Sequence, residues 1–336
     1  MIKLTNLSMP LQFTEDILRQ KIAQRLHISA QEIQSVLYLK RSVDARKKPK
    51  ITVILTVAVA VSNEEKILRR AVKDADIQSY VPYYYRIPKC TVPVSQSNRP
   101  VIVGFGPAGM FAALILAKAG LRPIVLERGK CVEQRQEDVT NFRKTGMLCT
   151  DSNVQFGEGG AGTFSDGKLT TGIKDPRIRF VLQSFVECGA PEEILYLAKP
   201  HIGTDLLRNV VAGIREEIRS LGGDVRFEAK VTDFVIQDGK LTGLIINDKE
   251  EIKTETAILA PGHSARDTFK VLSDRDLEMN PKAFAIGLRV EHPREMIDHS
   301  QYGKGADQYD LPAASYKLTY LSLIHISEPT RHLRIS

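Results

Sequence analysis

The sequence predicts an α/β protein in two parts: a small domain over residues 1–87 and, across a linker at 88–100, a larger doubly wound domain beginning at 101. Three observations lead there. The first 87 residues alternate strand-like and helix-like hydrophobic periods in the order βαββαβ. Residues 101–127 read as strand, glycine-rich turn, helix and strand, the opening of a doubly wound sheet. Residues 224–259 alternate Val, Ile and Phe between turns at Asp238-Gly239 and Asp248-Lys249, the pattern of an antiparallel meander. With 336 residues, 43% hydrophobic and 26% charged, the chain can bury two or three cores, which excludes disordered and fibrous classes.

In order along the chain, 2–4 is a strand, and 14–26 is an amphipathic helix with Thr14 as N-cap and Ile17, Leu18, Ile22 and Leu26 on one face. Strands at 33–43 and 51–61 follow across the basic turn 46–50. A helix at 63–72 opens on Ser62-Asn63-Glu64-Glu65, and a last strand runs over 77–85. This is the ferredoxin-like order. Pro88, Pro93 and Pro100, with Ser95, Gln96, Ser97 and Asn98, mark the linker. Helices are expected at 110–118, 176–188 and 205–221, the doubly wound domain extending to 279 and a substrate or cap region occupying 280–320, with Arg289, Glu291 and His292 among its polar residues.

Net charge is +7 but uneven: residues 1–100 hold 17 basic and 8 acidic groups, so the excess belongs to the N-terminal domain. Cys90, Cys131, Cys149 and Cys188 have no metal-ligand spacing, so no metal is expected and a reducing compartment fits best. No apolar run approaches the roughly 20 residues of a bilayer span, and no charged-then-apolar leader is visible, so the expectation is a soluble, cytoplasmic protein.

The strongest motif is Gly104-Phe105-Gly106-Pro107-Ala108-Gly109, between an apolar strand and a helix that closes at Gly120. Gly104 permits the tight turn, Gly106 lets a pyrophosphate approach the backbone, and Gly109 lets helix and strand pack. Glu127 ends the second strand 18 residues after Gly109, where an acid can accept hydrogen bonds from a ribose diol. Together these predict a Rossmann-like dinucleotide site. A second glycine run, Gly157 to Gly162, follows a weak strand and precedes a turn, so it is no second Rossmann turn; it suits a loop lying along a cofactor, its N–H groups forming an anion nest. The strand end Ala260-Pro261-Gly262 lets backbone come close to a nucleotide.

Taken together, the 104–109 turn with Glu127-Arg128-Gly129, the stretch 156–168 and the stretch 259–267 resemble the FAD-dependent dehydrogenases of the glutathione-reductase-like flavoprotein fold. More narrowly they are similar to bacterial NAD(P)/FAD-dependent oxidoreductases that carry a small α/β domain in front; stretches 41–48 and 199–205 also resemble that subgroup, so the likeness runs from residue 1 to about 320. It implies that Gly104, Gly106 and Gly109 hold the FAD pyrophosphate, with Phe105, Pro107 and Ala108 of the same turn also cofactor-binding. It places Glu127 at the adenosine ribose, with Arg128 beside it among the cofactor-binding residues, Val231 at the adenine through its backbone, and Gly159, Gly160, Ala161, Gly162 and Thr163 near pyrophosphate and flavin, with Ala260 and Gly262 at the strand end. It also implies hydride transfer through flavin N5, between a small-molecule substrate or transient NAD(P)H and an acceptor. Lys168, His201, Asp205 and His263 are the polar groups expected near the ring. The family's usual Ala-Thr-Gly strand end is Ala260-Pro261-Gly262 here.

Two other classes remain open at this level: an RNA-binding N-terminal domain and a flavin-binding scaffold or sensor without turnover. Nucleic acid is not the expected partner, because strands 2–4 and 51–61 carry no aromatic on which bases could stack. Residues 321–331 are identical to a translated sequencing-library adapter, so 321–336 are expected to be a non-native tail, and the natural chain to continue beyond 320 with the family's C-terminal flavin-contacting segment.

Overall fold

The computed structural model describes residues 1–48, 50–91, 95, 99–165, 167–281, 290–309 and 311–316. Pro49, residues 92–94 and 96–98 of the linker, Arg289 and the tail 321–336 therefore lie outside the described residues. The chain forms two compact units, one of Met1–Val81 with Lys282–Ser336 and one of Pro82–Pro281.

In the first unit β1 (Ile2–Met9), α1 (Glu15–Leu26), β2 (Ile33–Asp44), β3 (Thr52–Val61), α2 (Glu64–Arg70) and β4 (Ile77–Ser79) build an antiparallel sheet of order β2-β3-β1-β4, the ferredoxin-like arrangement. Alternate residues of β3, among them Val53, Leu55, Val57 and Val59, bury against Leu18, Ile22 and Leu26 of α1. Thr14 caps α1 by accepting a hydrogen bond from the Ile17 amide at 3.4 Å. Asn63, by contrast, makes no side-chain cap to α2. The last strand is shorter than the 77–85 expected. Its partner runs out, since Ser79 already faces Ile2 and the Tyr80 amide bonds Met1 O, and Pro82 has no amide to continue a ladder. The aromatic on β2, Tyr38, packs against the core of this unit.

The second unit opens with β5 (Val101–Val103), α3 (Pro107–Lys118) and β6 (Ile124–Leu126), followed by α4 (Val132–Thr145), α5 (Ile178–Glu187) and α6 (Thr204–Ser220). Then come β7 (Asp224–Arg226), β8 (Val231–Gln237), β9 (Lys240–Ile246), β10 (Glu250–Lys253), β11 (Ala257–Leu259) and α7 (Arg266–Asp274). A parallel sheet of order β11-β5-β6-β7 forms the Rossmann-like core, and β10-β9-β8 form the antiparallel meander. The meander is thus narrower than 224–259, because its first and last strands join the parallel sheet instead. Alternation alone does not reveal which neighbour a strand pairs with.

Each central strand is apolar at every position because both sheet faces are covered. Ile102, Val125 and Val225 pack with α3 and α6 on one face, while Val101, Val103, Ile124 and Leu126 pack with Phe234 and Leu244 of the meander on the other. The helix α3 closes as expected: Gly120 takes φ +85°, its amide bonds Ala117 O and the Leu121 amide bonds Leu116 O, satisfying two terminal carbonyls. Helices α8 (Arg294–Tyr302) and α9 (Gly305–Gln308) belong with the first unit. Among the described residues no helix is long and apolar enough to cross a membrane.

Leu55 is fully buried in the first unit's core. Leu55→Ala should cost about 2–5 kcal/mol in urea unfolding, as deletion of buried methyl groups does. A loss below about 1 kcal/mol would show that the helices close over the gap.

Candidate functional site

A cavity of about 370 Å³ opens at the carboxyl ends of β5, β6 and β11, where an open α/β sheet places its ligands. Its wall includes Gly104, Gly106, Pro107 and Ala108 at the start of α3, Glu127 and Arg128 at the end of β6, and Val231 of β8. Gly160, Ala161 and Gly162 come from the second glycine run, and Ala260, Gly262 and His263 from the end of β11. Helix α3 begins here with Gly106 as N-cap and no side-chain cap, so its first-turn amides lack a protein acceptor from a capping side chain. That end favours negative charge.

The three motif glycines have different reasons to be glycine. Gly104 sits at φ +100°, and a Cβ there would lie 2.3 Å from Ala260 O; a Cβ on Gly109 would lie 1.9 Å from Gly104 O. Those two are demanded by the fold. Gly106 is not: its φ is −75°, and the nearest atom to an added Cβ is Gly160 Cα at 3.8 Å. The chain itself leaves that space on the cavity wall open.

Glu127 is buried, and its carboxylate ties three segments together. Its Oε2 accepts from the Phe105 amide at 2.7 Å, and its Oε1 from the Gly129 and Gly157 amides at 2.9 and 3.0 Å. An ionised carboxylate offers about four acceptor positions, so a further donor can still be met. Beside it Arg128 lies 4.4 Å over the Phe156 ring and donates to both oxygens of Asp267 and to Thr268 Oγ1. Burial opposes ionisation of Asp267, but hydrogen bonds from Arg128 and Lys230 outweigh it and hold the carboxyl well below its ordinary range.

Behind the loop is a second, buried set of charges. Arg135 of α4 is fully enclosed and gives its guanidinium to the carbonyls of Asn153, Val154, Gly157 and Glu158. Burial lowers it to about 10, which still leaves it cationic at neutral pH. Glu158, also fully enclosed, stands in for the missing N-cap of α4: its Oε2 accepts from the Val132 amide and from Arg215, both at 2.7 Å, while Oε1 is buried with no hydrogen-bond partner among the described residues. Burial pushes Glu158 up to about 7 against the pull of that amide and of Arg215. Glu133, on the outer side of Arg215, is held down to about 2 by its hydrogen bonds.

Of the residues singled out in the sequence, Phe105, Gly109, Gly159 and Thr163 support the cavity without lining it. Phe105 is wholly buried, the Gly159 amide bonds Phe105 O at 2.8 Å, and Thr163 Oγ1 bonds Glu158 O. His263 lines the cavity, with Ser264 Oγ against its ring. Lys168, His201 and Asp205 do not line it: Lys168 and His201 are joined by a backbone bridge, and Asp205 pairs with Arg208 on the first turn of α6. Gln155, Phe156, Ala229 and Thr268 line it too, and sequence reasoning missed them, as it missed helix α4 with Arg135. That helix buries only Val132, Arg135 and Val139, too narrow a stripe for periodicity to show. Among the described residues no group of three or more His, Cys, Asp or Glu is placed to hold a metal.

Comparison with known proteins gives matches at both ends of the chain. Residues 1–60 match the model of a domain of unknown function (DUF8436), and residues 283–325 match that of "FAD-dependent protein, C-terminal domain-like". An uncharacterized protein of Clostridium beijerinckii is 48% identical over 322 residues, 96% of this chain; the chain spans 60% of the length of that curated relative. Among solved structures, Thermovibrio ammonificans THI4 is 19% identical over 54% of this chain and 64% of its own, with a TM-score of 0.36. The glycine oxidase of Bacillus cereus is 16% identical over 54% and 58%, with a TM-score of 0.30.

The raised carboxyl of Glu158 has a testable consequence. A group whose pKa rises on folding binds protons more tightly in the folded state, so its stabilising contribution is whole below the ordinary value of 4.5 and is lost as pH climbs through about 7. Glu158→Gln keeps an acceptor for Val132 and Arg215 but removes the titration. The melting temperature of the wild type should therefore fall more steeply than that of Glu158→Gln between about pH 5 and about pH 8. Equal slopes would mean that Glu158 is ionised throughout.

Proposed function

We propose that residues 101–281 form the dinucleotide-binding part of an FAD-dependent oxidoreductase, with the cavity beside α3 as the FAD site. The observation that supports this above the others is the vacancy at Gly106, on the cavity wall beside an uncapped helix N-terminus. A side chain fits there sterically and conformationally, so the reason for glycine points to something outside the chain, and an anion is what an uncapped helix start accepts. The description of the match over residues 283–325 as an FAD-dependent protein agrees with this reading.

In this reading the first-turn amides of α3 and the 160–162 loop take the pyrophosphate. Glu127 takes the ribose hydroxyls with its remaining acceptor positions and would repel a 2′-phosphate. Val231 meets the adenine through its backbone, and Arg128, Ala260 and Gly262 close the surrounding wall. A bound flavin supplies the hydride chemistry; the chain binds, orients and shields it from water. NAD(P)H is the proposed transient reductant and a small molecule the substrate. Of the four polar candidates His263 is the one on the cavity wall.

The test is direct. Purified chain incubated with FAD should show bound-flavin absorbance after gel filtration and quench flavin fluorescence on titration; neither signal at saturating FAD would overturn the reading. Gly106→Ala should fold with nearly unchanged stability and yet bind FAD at least about tenfold more weakly, a loss of roughly 1.4 kcal/mol. Unchanged affinity would show that no ligand approaches that backbone.

A further inference from the structure

We infer that Arg135, which does not line the cavity, is the positioning residue that shapes the cofactor-facing loop before a ligand arrives. The inference rests on the cavity being the FAD site. The loop residues on the cavity wall are Gln155, Phe156 and Gly157, then Gly160, Ala161 and Gly162. The guanidinium takes the carbonyls of Asn153 at 2.8 Å and Val154 at 3.0 Å on one side of the first trio, and that of Glu158 at 2.6 Å on the other. One rigid, planar group thus fixes both ends of the segment that bends over the cavity. The Phe164 ring, 4.9 Å from the guanidinium carbon, packs against it beyond the second trio.

The fit between loop and side chain is close enough to dictate sequence. Gly157 is at φ +116°, and a Cβ there would lie 2.4 Å from Arg135 Cδ, so the loop can fold around the arginine stem only with glycine at this point. The Gly157 amide, turned the other way, bonds Glu127 Oε1 at 3.0 Å. Arg135 therefore also sets the height of the loop against the carboxylate proposed to hold the ribose. Lysine cannot substitute: its ammonium is a single point with three donors, whereas these carbonyls are spread along a turn and met by a fork. The cost of burying a cation with no carboxylate in hydrogen-bond contact is offset by four carbonyl partners and by Glu127 and Glu158 nearby.

Two measurements on the full chain test this. In the wild type without FAD, hydrogen exchange at the amides of 155–160 should already be slow, with little added protection on binding. Fast exchange that slows only with FAD would overturn the inference, because the loop would then be shaped by the ligand. Arg135→Lys, its fold checked by circular dichroism, should weaken FAD binding by roughly tenfold or more, the loss of at least one charge-assisted hydrogen bond. Added methylguanidinium should restore affinity to Arg135→Ala and leave the wild type unmoved. Wild-type affinity in Arg135→Lys or in unrescued Arg135→Ala would overturn it, as would a full loss in Arg135→Ala that methylguanidinium does not relieve. Should the wild type itself fail to bind FAD, the cofactor reading falls, while the exchange experiment still reports whether the loop is held in place.

Discussion

The carboxylate of Glu127 is the interaction on which the arrangement of the second unit turns. It collects amides from the turn after β5, from the chain just beyond β6 and from the glycine loop at 157, three stretches otherwise joined by single backbone bonds such as Gly159 N–H to Phe105 O and Glu158 N–H to Lys130 O. A buried anion is costly unless hydrogen bonds compensate it, and backbone amides do so without adding another charge. The two sheets bring these stretches to the same edge. The carboxylate converts that proximity into a cavity with a defined floor.

Around that point the charges are layered. Arg128, Asp267 and Lys230 form an ion cluster at the rim, where solvent screening makes each pair weak and geometry is the main product. Arg135, Glu158 and Arg215 form another behind the loop, where solvent is excluded and an unmatched group matters. Glu158 belongs to both purposes: it supplies the acceptor that α4 lacks at its N-cap and it is part of the loop that Arg135 grips. A change in either helix is therefore felt at the cavity through the loop, without any contact to a bound group.

The Rossmann-like strand, turn and helix were legible because local rules decide them: a short apolar strand, glycines at fixed offsets, a helix with its Gly120 stop and an acid at the next strand end. The ferredoxin-like unit was legible for the same reason, down to the Thr14 cap. What sequence could not reveal were non-local choices. Strands β7 and β11 look like the meander strands beside them, yet pair with β6 and β5. Arg135 looks like one more polar residue on a charged helix, since its burial depends on four carbonyls some twenty residues away. Lys168, His201 and Asp205 were drawn from motif proximity, and proximity along the chain did not place them on the cavity wall, whereas His263, at a strand end, arrived there with the strand.

The glycines of the second unit separate what folding requires from what a ligand requires. At Gly104, Gly109 and Gly157 an added methyl group collides with the protein itself, so those residues would be glycine whether or not anything were bound. At Gly106 the protein offers no objection, with an ordinary φ and almost 4 Å to the nearest atom. On the proposed reading, a residue that is small without an internal reason is where a bound group comes close to the backbone. Here that residue falls on the wall shared by an uncapped helix start, a carboxylate with acceptor positions to spare and a loop already shaped from behind, and it is their convergence, more than any one of them, that supports the proposed binding site over a turn merely rich in glycine.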